Sequence, residues 1–342
     1  GLPKKTELEK EWSLKEKIDL AKEKGAVLIV YNSPKLKDNL VKYEHYYSRP
    51  KLVLKQDLKA DETIIIAATS ELTEQMLTQA GMKWKRVEKK GMNENNLEKL
   101  SFKLDIDKPT QYLKSENVLA FIPGTEKPEE VVVLTAHYDH IGVEGDKVFN
   151  GADDDGTGTV TMLEIAQAFQ QAVADSLGPK RSILIMPVSG EEKGLLGSKY
   201  YSNNPIFPLE NTVANLNVDM IGRYDENHEE GDNYVYLIGS DKLSSELHEV
   251  SEKVNDLYSK IELDYTFNDE NDPNRFYYRS DHYNFAKNNV PVIFYFSGVH
   301  EDYHKETDTV EKIDYEKTER IARLVFLTAW ELANREEKIK LD

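Results

Sequence analysis

Histidine and carboxylate side chains, whose nitrogen and oxygen atoms bind divalent metal ions, follow several apolar segments of this sequence. They lie in the motifs HYDH (137–140), GADDDGTG (151–158), SGEE (189–192), NVD (217–219) and EDYH (301–304). Lys193 is the nearest cation in sequence, and one ammonium group does not neutralise several acids. Because unpaired buried carboxylates are costly, the motifs together predict a bound divalent cation. The chain contains no cysteine, so His, Asp and Glu must hold it.

The elements that position these motifs are predicted to be strands and helices of one α/β domain. The sequence has four apolar, β-branched runs, at 131–137, 181–189, 211–219 and 290–297. Helical patterns occupy 157–174, 244–258 and 316–335. This alternation predicts a three-layer sandwich, in which helices flank a mostly parallel central sheet. Taken singly, each motif is also typical of a helix cap or a hydrogen-bonded strand end. Together, the four strand ends bring metal-binding residue types to one sheet edge, where ligands bind in such folds.

A smaller accessory α/β unit is predicted over residues 1–110, which leaves residues 111–342 for the larger domain. Its predicted elements are a helix over 6–24, a buried strand at 26–32, a strand at 63–69, a helix over 70–81 and strand-like alternation at 101–106.

Charge and hydropathy exclude two classes of partner. The formal net charge is −18 and no basic stripe is present, so nucleic acid is not an expected partner. No apolar stretch approaches the roughly 20 residues that a membrane-spanning helix needs. The absence of cysteine and the accessory unit favour an exported protein, which is periplasmic, on the cell surface or secreted. Because the chain begins at Gly1 without a targeting segment, we expect a processed form whose signal has been removed.

The ordered motifs HYDH, GADDDGTG, SGEEKGLLGS, NVDMIGR and EDYHKETDT resemble those of the two-zinc aminopeptidase family of metallopeptidases, peptidase family 28 of clan MH. The resemblance covers roughly residues 115–335. In the accessory unit, KIDLAKEKGAVLIVYNSP and TIIIAATSELTEQML resemble part of the protease-associated domain that many family members carry. The resemblance implies the zinc-peptidase fold, two Zn²⁺ ions per chain with Co²⁺ or Mn²⁺ as substitutes, and peptide substrates with a free amino end.

Matched position by position, the resemblance implies a ligand set for both metal ions. His137 and Asp219 bind one zinc ion, Glu192 and His304 bind the other, and Asp154 bridges the two.

Residues of the same types beside these ligands receive other roles. Asp153 and Asp155 serve the turn and the bridging geometry. His300 and Asp302 are acceptable alternative ligands, although the resemblance places the ligand at His304.

Three further residues are predicted to act in hydrolysis. By resemblance, Glu191 is the general base toward a water activated by both zinc ions, with a charge-tuning acid as the alternative. Asp139 fits a carboxylate that orients the His137 imidazole. Tyr303 matches a position whose hydroxyl donates to the developing oxyanion, with packing at the pocket wall as the alternative. His140 is interpreted as structural.

Other functions stay open beside the aminopeptidase interpretation. A glutamate-carboxypeptidase-like or glutaminyl-cyclase-like enzyme has the same fold. A carboxypeptidase needs cations for a terminal carboxylate, and Arg275 and Arg279 are the local candidates. They lie in the aromatic segment 272–285, whose end by resemblance is near the mouth of the active site. The remaining alternatives are a di-metal amidase or deacylase and a non-catalytic binding module with structural metals.

Overall fold

The computed structural model describes residues 12–48, 50–58, 63–90, 103–105 and 109–342. The chain divides into two compact units, residues 1–112 and residues 113–342. Among the described residues, no helix combines the length and the apolar composition of a membrane span.

The first unit contains a two-stranded parallel sheet. Its strands are β1 (Leu28–Asn32) and β2 (Ile64–Ala68). Its helices are α1 (Leu14–Glu23), α2 (Leu36–Lys42), α3 (Glu44–Ser48), α4 (Ser70–Gln79) and α5 (Trp84–Lys90). Helix α1 begins at a capping box, in which Ser13 and Glu16 bond to each other's backbone N–H.

The predicted strands of the first unit are confirmed, but the predicted burial of β1 is wrong. Every residue of β1 is half-buried, because β2 is its only partner in the described sheet and two strands cannot cover both faces. The predicted helix over 6–24 is present as α1 over residues 14–23, and the predicted helix over 70–81 as α4. Residues 1–11 and most of the alternation at 101–106 lie outside the described residues. The likeness to a protease-associated domain stays a prediction.

The second unit is built on a seven-stranded mixed sheet. The strands of this unit are β3 (Ala120–Ile122), β4 (Lys127–His137), β5 (Gly142–Glu144), β6 (Lys147–Phe149), β7 (Arg181–Val188), β8 (Thr212–Val218), β9 (Tyr234–Ile238), β10 (Glu262–Asp264) and β11 (Val292–Phe296). Strands β5 and β6 form a separate antiparallel hairpin. The other strands follow the order β10-β9-β11-β8-β4-β7-β3.

Four neighbouring strands at the centre of this sheet, β11, β8, β4 and β7, are parallel. They are the four runs predicted from the sequence, so the mostly parallel sheet is confirmed. The two antiparallel pairings, β9 with β11 and β3 with β7, make the sheet mixed rather than purely parallel. The apolar pattern does not single out β9, which is a five-residue strand directly after a polar stretch.

Helices cover both faces of the sheet, as predicted. They are α6 (Gly158–Ala174), α7 (Leu196–Asn203), α8 (Ser245–Val254), α9 (His282–Ala286) and α10 (Tyr315–Asn334). Helix α10 packs on β4, β7 and β8 together with α6 and α8, whereas α9 packs on β8 and β11 beside α7. The three-layer architecture is therefore confirmed.

Strand β4 shows why the central runs are continuously apolar. Val132 and Leu134 pack in the core beneath α6 and α10, whereas Val131 and Val133 pack in the core beneath α7 and α9. All four side chains are fully buried, and each contributes about 1.5–3 kcal/mol relative to an exposed side chain. Burial on both faces fixes the strand, and with it the position of His137 at its end.

Candidate metal centre

The candidate site lies at the carboxyl ends of the four parallel strands. The elements place His137 at the end of β4, Glu191 and Glu192 after β7, Asp219 directly after β8, His304 in the loop after β11, and Asp154 in the turn before α6. The structure thus brings together all the residues predicted to bind metal, although they are far apart in sequence.

The Asp154 carboxylate lies between two pairs of side chains. Its Oδ1 is 3.1 Å from Nε2 of His137, and its Oδ2 is 3.1 Å from Nε2 of His304. Oδ1 of Asp219 is 3.7 Å from Nε2 of His137, and Oε1 of Glu192 is 3.3 Å from Nε2 of His304. One oxygen of Asp154 therefore faces each pair, which is the arrangement that a bridging ligand requires.

Several buried atoms of this cluster have no hydrogen-bond partner within the described part of the chain. They are Oδ2 of Asp154, Oε1 of Glu192 and both ring nitrogens of His140. Buried polar atoms are nearly always hydrogen-bonded, so such atoms facing one another need another partner. Zn²⁺ binds imidazole nitrogen and carboxylate oxygen at about 2.0–2.2 Å. The residues present therefore fit a zinc ion.

The electrostatics of the cluster also favour a cation. Burial would lower the pKa of the His304 ring, but the carboxylates of Asp154 and Glu192 raise it to about 9. Burial would raise the pKa of Glu192, but the imidazoles of His140 and His304 lower it to about 2. The ionised carboxylates are thus stabilised by positive charge beside them, which a bound dication would supply.

Asp155, the third aspartate of the triplet, bonds to backbone rather than facing Glu192 and His304. Its Oδ1 accepts from the N–H of Gly158 at 2.9 Å and of Met220 at 3.2 Å. Its Oδ2 accepts from the N–H of His137 at 3.0 Å. One carboxylate thereby ties the ends of β4 and β8 to the start of α6, which accounts for an aspartate that serves the turn.

The alternative ligands His300 and Asp302 have other partners. Nε2 of His300 is 3.3 Å from Oδ2 of Asp153. The Asp302 carboxylate pairs with Arg223 at 3.1 Å and with Lys312 at 2.7 Å. Neither side chain belongs to the cluster around Asp154, so the geometry favours His304.

Asp139 supports two residues of the site, but in a different way from the one predicted. Its backbone carbonyl oxygen is 2.8 Å from Nδ1 of His137, whereas its carboxylate Oδ1 is 3.9 Å from that nitrogen. The carboxylate accepts instead from the N–H of Glu191 at 3.1 Å. The structure corrects the predicted contact, because the carbonyl already occupies the nitrogen that the carboxylate was expected to orient.

Glu191 faces the cluster from the loop after β7. The loop turns at Gly190, whose φ of +75° lies in the left-handed region that glycine tolerates. Oε2 of Glu191 is 3.9 Å from Nε2 of His137, and 12% of the side chain is exposed. Burial raises the pKa of Glu191 well above its usual range, against the lowering effect of His137. A carboxyl group with a raised pKa beside the cluster can accept and return a proton.

An apolar wall adjoins the cluster. It is formed by Met220, Phe276, Phe294, Phe296 and Val299. Tyr303 and Arg279 complete the pocket, and Nη2 of Arg279 donates to the Tyr303 hydroxyl at 3.4 Å. Burial raises the pKa of Tyr303, which therefore stays protonated and able to donate. Phe276, Arg279 and Ser280, in the middle of the segment 272–285, thus line the pocket.

A buried chain of hydrogen bonds, which the sequence motifs do not reveal, ends on Asp219. Nδ2 of Asn215 donates to the Thr135 hydroxyl at 3.0 Å, and Thr135 donates to Oδ1 of Asn217 at 2.5 Å. Nδ2 of Asn217 donates to the Ser280 hydroxyl at 2.8 Å, and Ser280 donates to Oδ2 of Asp219 at 2.7 Å. The available signal is the pair of amides in the otherwise apolar run NTVANLNVD.

Asp308 is a second supporting residue that the motifs do not reveal. Its carboxylate accepts from the backbone N–H groups of Asp153 at 3.1 Å and Asp154 at 3.2 Å. It therefore holds the turn that presents Asp154. Its signal in the sequence is the run KETDT that follows His304.

Comparison with known proteins agrees with this geometry. The sequence model described as Peptidase family M28 matches residues 117–329 of this chain. A "Probable zinc metalloprotease" of Pyrenophora tritici-repentis is 29% identical over 264 residues, which are 64% of this chain and 51% of that protein. A "Probable leucine aminopeptidase" of Arthroderma otae is 31% identical over 229 residues, which are 64% of this chain and 58% of that protein.

Among solved structures, the fold is similar to that of BSAP, a zinc aminopeptidase from Bacillus subtilis. The two chains are 25% identical with a TM-score of 0.53, over 66% of this chain and 52% of that one. The chain therefore spans about half the length of these relatives. Because the family match covers more than half of the 342 residues, the chain belongs to Peptidase family M28.

Proposed function

We propose that this chain is a zinc-dependent aminopeptidase, which hydrolyses the first peptide bond of a peptide and releases its amino-terminal residue. The observation that carries the proposal is the convergence of imidazoles and carboxylates around Asp154, beside an apolar pocket and facing Glu191. Membership of Peptidase family M28 supports it, as do the names of the similar proteins, which include zinc aminopeptidase and leucine aminopeptidase.

The proposed centre holds two zinc ions. His137 and Asp219 hold one, Glu192 and His304 hold the other, and Asp154 contributes one oxygen to each. The distances from Asp154 to both imidazoles support this division. Co²⁺ and Mn²⁺ are expected substitutes, because both accept imidazole and carboxylate ligands.

The side chains around the ions have separate tasks in the proposed reaction. When bound, a pair of zinc ions lowers the pKa of water and polarises the carbonyl of the scissile bond. Glu191 takes a proton from the attacking water and delivers it to the departing amine. Tyr303 donates its hydroxyl proton to the oxygen that gains negative charge. Asp139 fixes both His137 and Glu191 through its carbonyl and carboxylate.

The pocket defines the substrate class of the proposed enzyme. Its wall of Met, Phe and Val side chains suits an aliphatic or aromatic side chain on the amino-terminal residue. The names of the similar proteins, which include leucine aminopeptidase and zinc aminopeptidase, favour a free amino end. Peptides with a free amino end and an apolar first residue are therefore the proposed substrates.

A carboxypeptidase is the alternative that one observation favours, because Arg279 lines the pocket. Its guanidinium group, however, donates to the Tyr303 hydroxyl and lies over the Phe276 ring at 4.8 Å. Arg275 lies over the Tyr278 ring at 4.8 Å, and it does not line this pocket. Both guanidinium groups thus contact side chains of the protein, and neither is placed as a dedicated site for a terminal carboxylate.

A panel of dipeptide amides, each with its amino end free or acetylated, tests the proposal. With zinc supplied, we expect cleavage of the free forms only, fastest for leucine, methionine and phenylalanine, and complete loss of activity with a chelator. Equal cleavage of acetylated forms would favour a deacylase. Cleavage that requires a free carboxyl end, measured on acetylated dipeptides, would favour a carboxypeptidase. Zinc binding without any cleavage would favour a binding module.

The role of Glu191 is tested by Glu191→Gln. The amide keeps the shape of the side chain but cannot accept a proton, so we expect turnover to fall by at least about 100-fold. Zinc content should stay unchanged. Glu301→Gln, which alters an exposed acid in the loop that carries His304, is the matched control and should keep full activity. Retained activity in Glu191→Gln would remove Glu191 from the role of base.

A further inference from the structure

His140 lies in the cluster although the sequence motifs assign it no task. Only 9% of its side chain is exposed. Neither ring nitrogen has a hydrogen-bond partner among the described residues. A buried imidazole without hydrogen bonds is destabilising, because its nitrogens lose their bonds to water. The interpretation of His140 as merely structural leaves the position of Nδ1, beside the carboxylates of Glu192 and Asp154, unexplained.

The Nδ1 atom of His140 faces the same two oxygens as His304. It is 3.0 Å from Oε1 of Glu192 and 3.8 Å from Oδ2 of Asp154. Nε2 of His304 is 3.3 Å and 3.1 Å from those oxygens. Both imidazoles therefore converge on one pair of carboxylate oxygens, and neither oxygen has a hydrogen-bond partner in the described chain.

The contact between His140 and Glu192 has the length of a hydrogen bond but not its direction. A ring N–H that donated to Oε1 would point at that oxygen. Two ligands of one small ion show a different geometry, because each points at the ion and their atoms lie side by side. Tetrahedral zinc with bonds of about 2.0–2.2 Å separates neighbouring ligand atoms by roughly 3.3–3.6 Å. The observed separations, 3.0–3.8 Å, lie on both sides of this range.

The backbone holds the His140 ring in place. Gly151, with φ of +63°, packs so closely that a Cβ atom there would lie 2.5 Å from Cγ of His140. The His140 and His304 rings meet edge to face, with centroids 5.8 Å apart. The orientation of Nδ1 toward Glu192 is therefore fixed by packing rather than left to a free side chain.

We propose that His140 is a fourth protein ligand, through Nδ1, of the metal ion held by Glu192 and His304. The inference rests on the proposed two-zinc centre, and it gives the two ions different numbers of protein ligands. The ion beside Glu192 would then have four ligands from the chain, which are His140, Asp154, Glu192 and His304. The other ion receives three ligands from the chain and keeps an open position next to Glu191.

Direct observation of the metal–nitrogen bonds tests this inference without a variant. The chain contains eight histidines, which are labelled with ¹⁵N before the stripped protein is loaded with ¹¹³Cd²⁺. Scalar coupling between ¹¹³Cd and ¹⁵N reports a through-bond contact. We expect three coupled histidines, with His140 distinguished by coupling through Nδ1 and the other two by coupling through Nε2. Coupling in His137 and His304 alone would overturn the inference.

A zinc titration of His140→Ala provides the second arm. Zinc is added to the stripped protein in competition with a chromophoric chelator. We expect one of the two sites to weaken by more than about 100-fold, which exceeds the loss typical of an outer partner, while the other stays unchanged. His248→Ala is the matched control, because that ring lies on α8 and contacts Ser240 rather than the cluster. Both sites should persist in the control.

The outcomes separate this inference from the proposed function. Wild-type protein that binds fewer than two zinc ions would overturn both. Wild-type protein that binds two zinc ions and cleaves peptides, with His140→Ala weakened less than about tenfold, would overturn only the role of His140. The melting temperatures of the zinc-stripped His140→Ala and wild-type proteins are compared as a control. Equal values would show that weaker zinc binding reflects a lost ligand rather than a lost fold.

Discussion

Replacing Thr135 with valine interrupts the buried chain of hydrogen bonds at its centre while keeping the shape of the side chain. Thr135 is fully buried in β4. Its hydroxyl donates to Oδ1 of Asn217 and accepts from Nδ2 of Asn215. Because Asn217 then donates to Ser280, and Ser280 donates to Asp219, the direction of every later bond depends on Thr135. We expect Thr135→Val to reduce both stability and zinc affinity.

The size of the stability loss follows from the atoms left without partners. Oδ1 of Asn217 loses the donor at 2.5 Å, and an orphaned buried acceptor costs about 1–3 kcal/mol. Nδ2 of Asn215 loses its bond to Thr135 but keeps the carbonyl of Val133 at 3.4 Å, so its loss is smaller. We therefore expect the free energy of unfolding to fall by roughly 2–3 kcal/mol.

The loss of zinc affinity follows from the freedom that Asn217 gains. Without Thr135, the amide can turn over and present Oδ1 to Ser280, which leaves Nδ2 instead of Oδ1 as the buried atom of Asn217 without a partner. Ser280 then donates to Asn217, and Asp219 loses the bond that orients it. Removing a partner that orients a metal ligand typically costs about 10- to 100-fold in metal affinity. The affected ion is the one that Asp219 holds.

Denaturant unfolding of the zinc-stripped protein and a competitive zinc titration measure the two effects. Thr161→Val is the matched control, because Thr161 is also buried but its Oγ1 has no partner in the described part of the chain. Because this substitution removes a buried hydroxyl without a partner among the described residues, the free energy of unfolding should not fall and can rise by about 1–3 kcal/mol. Equal losses in the two variants would refute the reasoning, as would a Thr135→Val protein that is destabilised but binds zinc as wild type does.

Two other predictions concern the surroundings of the site. Burial lowers the pKa of Lys317, whose Nζ is 3.2 Å from the Tyr234 carbonyl, from 10.5 to about 7. Between these pH values the unfolded chain binds more protons, so the free energy of unfolding should rise with pH, and Lys317→Met should abolish this rise in denaturant titrations. Gly151→Ala should lower the melting temperature and the zinc affinity, because its Cβ would lie 2.5 Å from both His140 Cγ and the Asp154 carbonyl oxygen. Gly145→Ala has a similar φ of +62° in open space, so equal zinc losses in both variants would contradict the packing argument.

The central part of the fold could be predicted because its signal is local. Each parallel strand is buried on both faces, so its apolar run is visible in the sequence without knowledge of its neighbours. Metal-binding residues at the ends of these runs then point to one sheet edge. Strand β9 could not be predicted in this way, because it is short and follows a polar loop. The sequence alone overestimates the burial of β1, because an apolar run does not reveal how many strands lie beside it.

The supporting contacts of the site could not be predicted because they join distant residues through backbone atoms or amides. Ser280 meets Asp219 only after the sheet has formed, and 61 positions separate them. The partner of Nδ1 of His137 is a carbonyl whose direction depends on the turn at Asp139. Residue types report which atoms can coordinate or donate. They do not report whether the carbonyl or the carboxylate oxygen of a residue such as Asp139 makes the contact.

These contacts make the two halves of the proposed centre physically different. In the first half, His137 is held by the Asp139 carbonyl and Asp219 is held by Ser280, so the chain itself sets their positions. In the second half, Oε1 of Glu192 has no hydrogen-bond partner among the described residues and faces imidazoles that a metal ion would join. The first half is therefore organised by hydrogen bonds before an ion binds. In the second half packing orients His140, but Oε1 of Glu192 depends on an ion for a partner. Thr135→Val acts on the first half and His140→Ala on the second, and Asp154 is the ligand common to both. The losses in the free energy of zinc binding should therefore add in the double variant, and any deviation from additivity should reflect coupling through Asp154.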